Sequence, residues 1–261
     1  MNKNIKKRLD TLLVEKGLVQ SREKARALIM AGTVLVNGFP IDKAGTKVEM
    51  EADISFKGGT LQNGRILKDG ECPYVSRGGL KLDKALKHLQ LDVSGMICLD
   101  IGASTGGFTD CLLQAGASKI YAVDVGYGQI DWSLRQNAKV VVIERTNIRH
   151  MPYETIGQTV DLITIDTSFI SLKIVVPAAE KFMTSETHTL ALIKPQFEAG
   201  KNRIGKGGVV RDPFVRDEIV NEIELFFRQR GYETGDIIES PVKGPKGNVE
   251  FIISMRYLNR Q

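Results

Sequence analysis

The chain has 261 residues, of which 42% are hydrophobic and 26% charged, and its net charge at neutral pH is +5. That length accommodates one large domain, or a large one and a small one, and the composition excludes a disordered or fibrous protein. No stretch reaches the roughly 18 uncharged apolar residues of a membrane span, and the mild basic excess favours an anionic partner.

Cys72, Cys98 and Cys111 fit neither a zinc spacing nor an even-numbered disulfide framework. The basic start lacks the apolar run of a signal peptide. The expectation is a cytoplasmic protein in a reducing compartment, with no metal and no stable membrane association.

Residues 1–57 read as a small α+β domain. Leu9, Leu12 and Leu13 suit an amphipathic helix stopped at Gly17, and Ser21 is placed to cap a second helix with Ala25, Leu28 and Ile29 on its buried face. Val34 and Val36 alternate as a strand before Asn37-Gly38, a hairpin turn, and Val48 and Ile54–Phe56 predict further strands. Residues 1–26 carry eight basic and three acidic side chains, an excess equal to that of the whole chain. Charge alone fits a solvated helix surface. The pattern R-L-D-T-L-L-V-E-K-G-L-V-Q-S-R-E-K-A-R-A-L-I-M-A-G-T-V-L-V-N-G is more specific and resembles the RNA-binding module named after ribosomal protein S-four. The resemblance implies RNA contacts through Arg8, Arg22, Lys24 and Arg26. Residues 58–73, with four glycines and a proline, read as a linker that includes a loose hairpin.

Residues 74–261 read as a second domain. Y-V-S-R-G-G-L-K-L leads into a helix ending near Gln90, with Lys81 in its first turn, where a cation is unfavourable to the helix dipole. Met96–Leu99 is an apolar run typical of a strand buried on both faces. Asp100 follows at its expected end, and Gly102, Gly106 and Gly107 form a turn into a helix marked by Phe108, Leu112 and Leu113. Strand, glycine turn and helix open a nucleotide-binding unit. The glycine spacing is not G-x-G-x-x-G, and an acid at the strand end would repel a pyrophosphate while suiting the ammonium, sulfonium or hydroxyls of S-adenosylmethionine. A plain glycine turn is the alternative.

A second buried strand ends at Asp124, placed to accept hydrogen bonds from ribose hydroxyls. Trp132 lies in a short helix. Further strands run over Lys139–Glu144, Val160–Ile165 and Thr187–Ile193, the last two leading to Asp166 and Lys194. Ile170–Phe182 reads as a helix bent or divided by Pro177. Phe197–Asp212 is glycine-rich and basic, a lid, a phosphate clamp or a surface loop. Pro213 opens a helix to about Gln229, and Tyr232–Ile238 and Val249–Met255 close the chain as antiparallel strands. The fold class is α/β, a mostly parallel Rossmann-like sheet with an antiparallel C-terminal hairpin.

Y-V-S-R-G-G-L-K-L, D-I-G-A-S-T-G-G-F-T-D, D-T-S-F-I-S-L, I-K-P-Q-F-E and K-G-P-K-G-N-V-E-F together resemble the TlyA/hemolysin A family, FtsJ-type RNA 2′-O-methyltransferases carrying an S-four-type module. Thr167 stands where that pattern is more apolar. The resemblance implies a catalytic set of Lys81, Asp166, Lys194 and Glu250. It implies S-adenosylmethionine bound by Asp100, Gly102, Ser104, Thr105, Gly106, Gly107, Phe108, Asp124, Val125, Asn147 and Asp166. It further implies that Arg77 joins the RNA contacts, that the substrate is cytidine in ribosomal RNA or ribosomal subunits, and that no metal is required. In this reading Lys194 removes the 2′-hydroxyl proton, Lys81 supplies nearby positive charge, and the two acids hold the lysines. Competing readings are an RNA-binding assembly factor without catalysis, a membrane-lytic protein and a nicotinamide oxidoreductase.

Overall fold

The computed structural model describes residues 6–19, 21–62, 65–67, 72–200, 203–205 and 207–258. They divide into two compact units, Met1–Pro73 and Tyr74–Gln261.

The first unit begins with β1 (Lys6–Arg8), which runs directly into α1 (Leu9–Glu15); α2 (Arg22–Met30) follows. Gly17, at φ +68°, stops the first helix, and the Ser21 hydroxyl accepts from the Lys24 backbone N–H to start the second. Leu9, Leu12, Leu13 and Ile29 are buried together with Val34. β2 (Val34–Val36) is the middle strand of a sheet ordered β3-β2-β5, with β3 (Phe39–Pro40) and β5 (Ile54–Phe56) antiparallel on either side. Asn37 and Gly38, both at positive φ, make the hairpin turn. β4 (Lys47–Glu49) pairs with β1, a strand the sequence did not announce because three charged residues carry it. Within the expected linker, β6 (Thr60–Gln62) pairs antiparallel with β7 (Arg65–Leu67), and the rest of the expected hairpin lies outside the described residues.

The second unit opens with α3 (Gly78–Leu89) and then alternates β8 (Ile97–Ile101), α4 (Gly107–Gln114), β9 (Lys119–Val123), α5 (Trp132–Arg135), β10 (Val140–Ile143), β11 (Leu162–Ile165), α6 (Leu172–Ala179) and β12 (His188–Ile193). The last elements are α7 (Pro195–Glu198), α8 (Pro213–Gln229), β13 (Tyr232–Glu239) and β14 (Phe251–Tyr257). The seven strands lie in the order β10-β9-β8-β11-β12-β14-β13. All pairs are parallel except those made by β14, which is inserted antiparallel between β12 and β13.

Alternation along the central strands fills both faces of this sheet. Leu99, Ile101, Ile163 and Ile165 pack with α6 and α8, while Cys98, Leu162 and Leu190 pack with α3 and α4. Three layers result, and the strands deliver their carboxyl ends to one edge, where open α/β sheets hold ligands. Pro177 sits inside α6, and the expected long helix gives way to a 3₁₀ turn over Glu180–Phe182. Among the described residues no helix is long and apolar enough to cross a membrane.

The glycine-rich stretch after β12 is partly structured. Its first residues belong to α7, and Gly205 bridges Val209. Asn248 ties it down, accepting from Val210 N (3.2 Å) and donating to the Gly208 carbonyl (3.1 Å). Lys201 and Lys206, part of the expected clamp, lie outside the described residues.

Candidate active site

Close backbone packing builds the site. β8 ends at Ile101 and the chain turns through Gly102, whose φ is +86° and whose Cβ, were there one, would lie 2.7 Å from the Asp166 carbonyl oxygen. α4 starts against the start of α3: a Cβ on Gly107 would fall 2.9 Å from the Gly79 nitrogen. The R-G-G and G-G-F sequences therefore meet at a single crossing. Asp110 fastens it by accepting the Val75 backbone N–H at 2.8 Å. This crossing explains why Lys81 sits in a first helical turn against its electrostatic preference, since from there its amine reaches the end of β11.

Lys194, Asp166, Lys81 and Glu250 form a line of alternating charge. Lys194 Nζ is 2.5 Å from Asp166 Oδ1, Lys81 Nζ is 3.7 Å from Asp166 Oδ2, and Lys81 Nζ is 2.6 Å from Glu250 Oε2. Lys194 Nζ also donates to Ser168 Oγ at 3.1 Å. The two amines and two carboxylates sum formally to zero. All four side chains are at least four-fifths buried, and Glu250 is wholly so. Its second oxygen, Oε1, has no hydrogen-bond partner among the described residues. A Cβ on Gly244 would lie 2.0 Å from that oxygen, so the K-G-P-K-G-N stretch needs glycine there to let Glu250 in.

Two cavities meet at this line, sharing Gly102, Ser104, Asp166 and Ser168. The smaller, about 230 Å³, is bordered by Lys81, Lys194 and Glu250 on one side and by Thr105, Gly107 and Phe108 on the other. The larger, about 540 Å³, lies against Asp124, Val125, Asn147 and Thr167. Asp124 accepts from Ser104 N (2.7 Å) and Gly126 N (2.6 Å), which leaves further lone pairs for hydroxyls in the cavity. The Thr167 hydroxyl is buried without a partner among the described residues. Two non-glycine residues at the rim, Ser104 (φ +49°) and Phe169 (φ +64°), hold left-handed backbone, the kind of strain that collects at ligand sites. A cavity of this size with an acid and a glycine turn fits a nucleoside ligand with hydroxyls and a cationic centre.

Three expected site residues stand elsewhere. Asp100 reaches neither cavity. Its strand continues to Ile101, and its side chain points inward, where Thr109 of α4 (2.6 Å) and Thr164 of β11 (3.0 Å) donate to it. Burial pushes its carboxyl up to about 7, against the opposing pull of both hydroxyls. Gly106 lies behind the turn, where a side chain would strike Leu134. Arg77 is exposed at the start of α3, beside the Ser76 and Gly78 that line the smaller cavity. In the first unit, Arg8, Arg22 and Arg26 all reach Asp10, while Lys24, two residues from each of the last two, is exposed on α2. Among the described residues no group of three His, Cys, Asp or Glu side chains is arranged to hold a metal ion.

Residues 74–257 match the FtsJ-like methyltransferase family. The chain belongs to that family. Residues 7–54 match the S4 domain. The FtsJ-like chain is 43% identical over 249 residues, 95% of its length and 89% of the relative's, to the 16S/23S rRNA (cytidine-2′-O)-methyltransferase TlyA of Mycobacterium tuberculosis. It is 39% identical over 246 residues, 94% of its length and 98% of the relative's, to hemolysin A of Brachyspira hyodysenteriae. A solved structure from Streptococcus thermophilus, described as a candidate hemolysin, aligns with a TM-score of 0.70 at 39% identity, covering 98% of this chain and 90% of that one.

Ser168, Gly244 and Asp110 belong to the site although sequence reasoning does not single them out. Each lies inside a motif quoted from the sequence, but each acts through a neighbour: Ser168 through Lys194, Gly244 through Glu250 and Asp110 through the loop before α3.

Proposed function

We propose that this FtsJ-like methyltransferase transfers the methyl group of S-adenosylmethionine to the 2′-hydroxyl of a cytidine ribose in ribosomal RNA or ribosomal subunits, in the cytoplasm. The supporting observation is the contiguity of Lys194, Asp166, Lys81 and Glu250, drawn from four distant parts of the chain to the junction of two cavities. The relative from Mycobacterium tuberculosis, named for this reaction on cytidine, supports the substrate class.

S-adenosylmethionine supplies an electrophilic methyl on a positively charged sulfur. Gly102, Ser104, Thr105, Gly107 and Phe108 would let backbone approach it, Asp124 would accept hydrogen bonds from its ribose hydroxyls, and Val125 and Asn147 would line its pocket. Gly106 and the buried Asp100 support the turn from behind. A 2′-hydroxyl holds its proton at neutral pH and must lose it to attack. Lys194 takes that proton at Nζ, and Lys81 stands on the other oxygen of the shared Asp166 carboxylate. Asp166 and Ser168 aim Nζ, and Glu250 holds Lys81 on the far side of Asp166. The half-dry, fixed charges need no reorganisation as the methyl group moves.

The test is incubation of the full chain with methyl-labelled S-adenosylmethionine and unmodified ribosomal subunits, followed by mapping of alkali-resistant linkages. Label in 2′-O-methylcytidine is the expected result. Label on a base, or cofactor binding with no transfer to RNA, would overturn the reading.

A further inference from the structure

The most concentrated charge in the first unit surrounds a residue with no assigned role. Asp10, in the first turn of α1, is completely buried. Arg8 grips it with two N–H groups, Nε to Oδ1 at 3.0 Å and Nη2 to Oδ2 at 3.1 Å. Arg22 Nη2 reaches Oδ2 at 3.0 Å and Arg26 Nε reaches the same oxygen at 3.3 Å. Arg22 and Arg26 are one turn apart on α2, so they share a face.

This grouping is more than the buried acid requires. One bidentate arginine already neutralises the charge of the carboxylate. Two more leave the cluster with a formal charge of +2, and all three arginine side chains remain about half exposed. Three guanidiniums repel one another at this separation and would splay apart on a free surface. The shared carboxylate draws them to one point, holding Arg8 by one edge of its fork and Arg22 and Arg26 by one N–H each. N–H groups not spent on Asp10 remain on side chains that water still reaches, in the planar arrangement that matches phosphate oxygens.

We propose that Asp10 is the positioning residue of an RNA-phosphate clamp, gathering Arg8, Arg22 and Arg26 so that their outward N–H groups grip backbone phosphates of structured ribosomal RNA. The proposal rests on the ribosomal RNA substrate reading above and adds a residue that never touches the RNA.

Asp10→Asn separates position from charge, because it raises the net charge of the patch by one while removing the anchor. The full chain is titrated with transcribed ribosomal RNA and with polyuridylate over a range of salt. Positioning predicts about tenfold weaker binding to the ribosomal transcript, a salt slope shallower by about one for each phosphate no longer gripped, and a raised KM for RNA with kcat held at saturation. Pure charge attraction predicts the reverse, and equal or tighter binding of the transcript by Asp10→Asn overturns the proposal.

Should Asp10→Asn unfold the first unit, Arg22→Lys with Arg26→Lys decides the matter. These half-exposed changes keep every charge and lose only the forks. A KM for RNA raised about tenfold supports the clamp, since an ammonium binds phosphate as a point charge. An unchanged KM overturns it. A wild-type chain that binds the transcript no better than polyuridylate instead refutes the substrate reading itself.

Discussion

The two charged clusters differ in composition, burial and proposed role. In the first unit one buried acid gathers three arginines that stay half exposed, so the sum is positive and directed outward. In the second unit two acids and two lysines are nearly all withdrawn from water and sum to zero. The choice of cation follows. A guanidinium does not give up its proton under protein conditions, which suits a grip on phosphate; an amine can, which suits a base. On the proposed roles, a carboxylate under a cation serves binding or chemistry according to which cation it holds and how much water reaches it.

The sharpest way to break that contrast is to remove the amines. Lys194→Ala and Lys81→Ala are each expected to lower single-turnover methylation by about a hundred- to ten-thousandfold while cofactor affinity stays within a few-fold, read by rapid quench and calorimetry. Wild-type rates from both would refute the assigned roles. Gly244→Ala is next. Its new methyl group must displace Glu250 and should cost activity about a hundredfold, measured as kcat, with affinity for S-adenosylmethionine within a few-fold of wild type. Asp124→Ala is expected to weaken cofactor binding by about tenfold, equivalent to about 1.4 kcal/mol, with a smaller effect on kcat at saturation.

The smallest expected effect is one of stability and depends on pH. The Asp100 carboxyl lies at about 7 in the folded chain, against about 4 unfolded, because burial disfavours its charge. The folded state therefore holds this proton more tightly. Its contribution to stability is greatest below about pH 4 and declines as pH rises toward 7. Asp100→Asn removes that decline, so the Tm deficit of the variant relative to wild type should shrink between pH 5 and pH 8. A deficit that widens would contradict the buried, proton-holding placement.

How much of this was legible in the sequence depended on where each residue does its work. Helix ends read well because their signals are local: Ser21 caps α2, Gly17 stops α1, and Asp212-Pro213 opens α8. The parallel sheet read well because strands buried on both faces are continuous apolar runs. The four site residues came from motif resemblance, and the structure brings them together. Asp100 misled because one residue of strand beyond it reverses which face a side chain takes. Asp10 was hidden for a related reason: a charged residue in an amphipathic helix reads as solvated, and its burial depends on arginines from other elements that periodicity does not reveal. Gly244 and Asp110 act through neighbours remote in sequence, which spacing alone does not encode.

The measurement that bears most directly on the paired-charge site is single-turnover methylation by Lys194→Arg, with cofactor and RNA affinities determined on the same sample. Arginine keeps the positive charge beside Asp166 but cannot serve as the base. The expected result is near-normal binding of both substrates with methyl transfer reduced to the level of Lys194→Ala. Methylation by Lys194→Arg at the wild-type rate would contradict proton removal by Lys194 and leave the line of four charges with only an electrostatic part in the reaction.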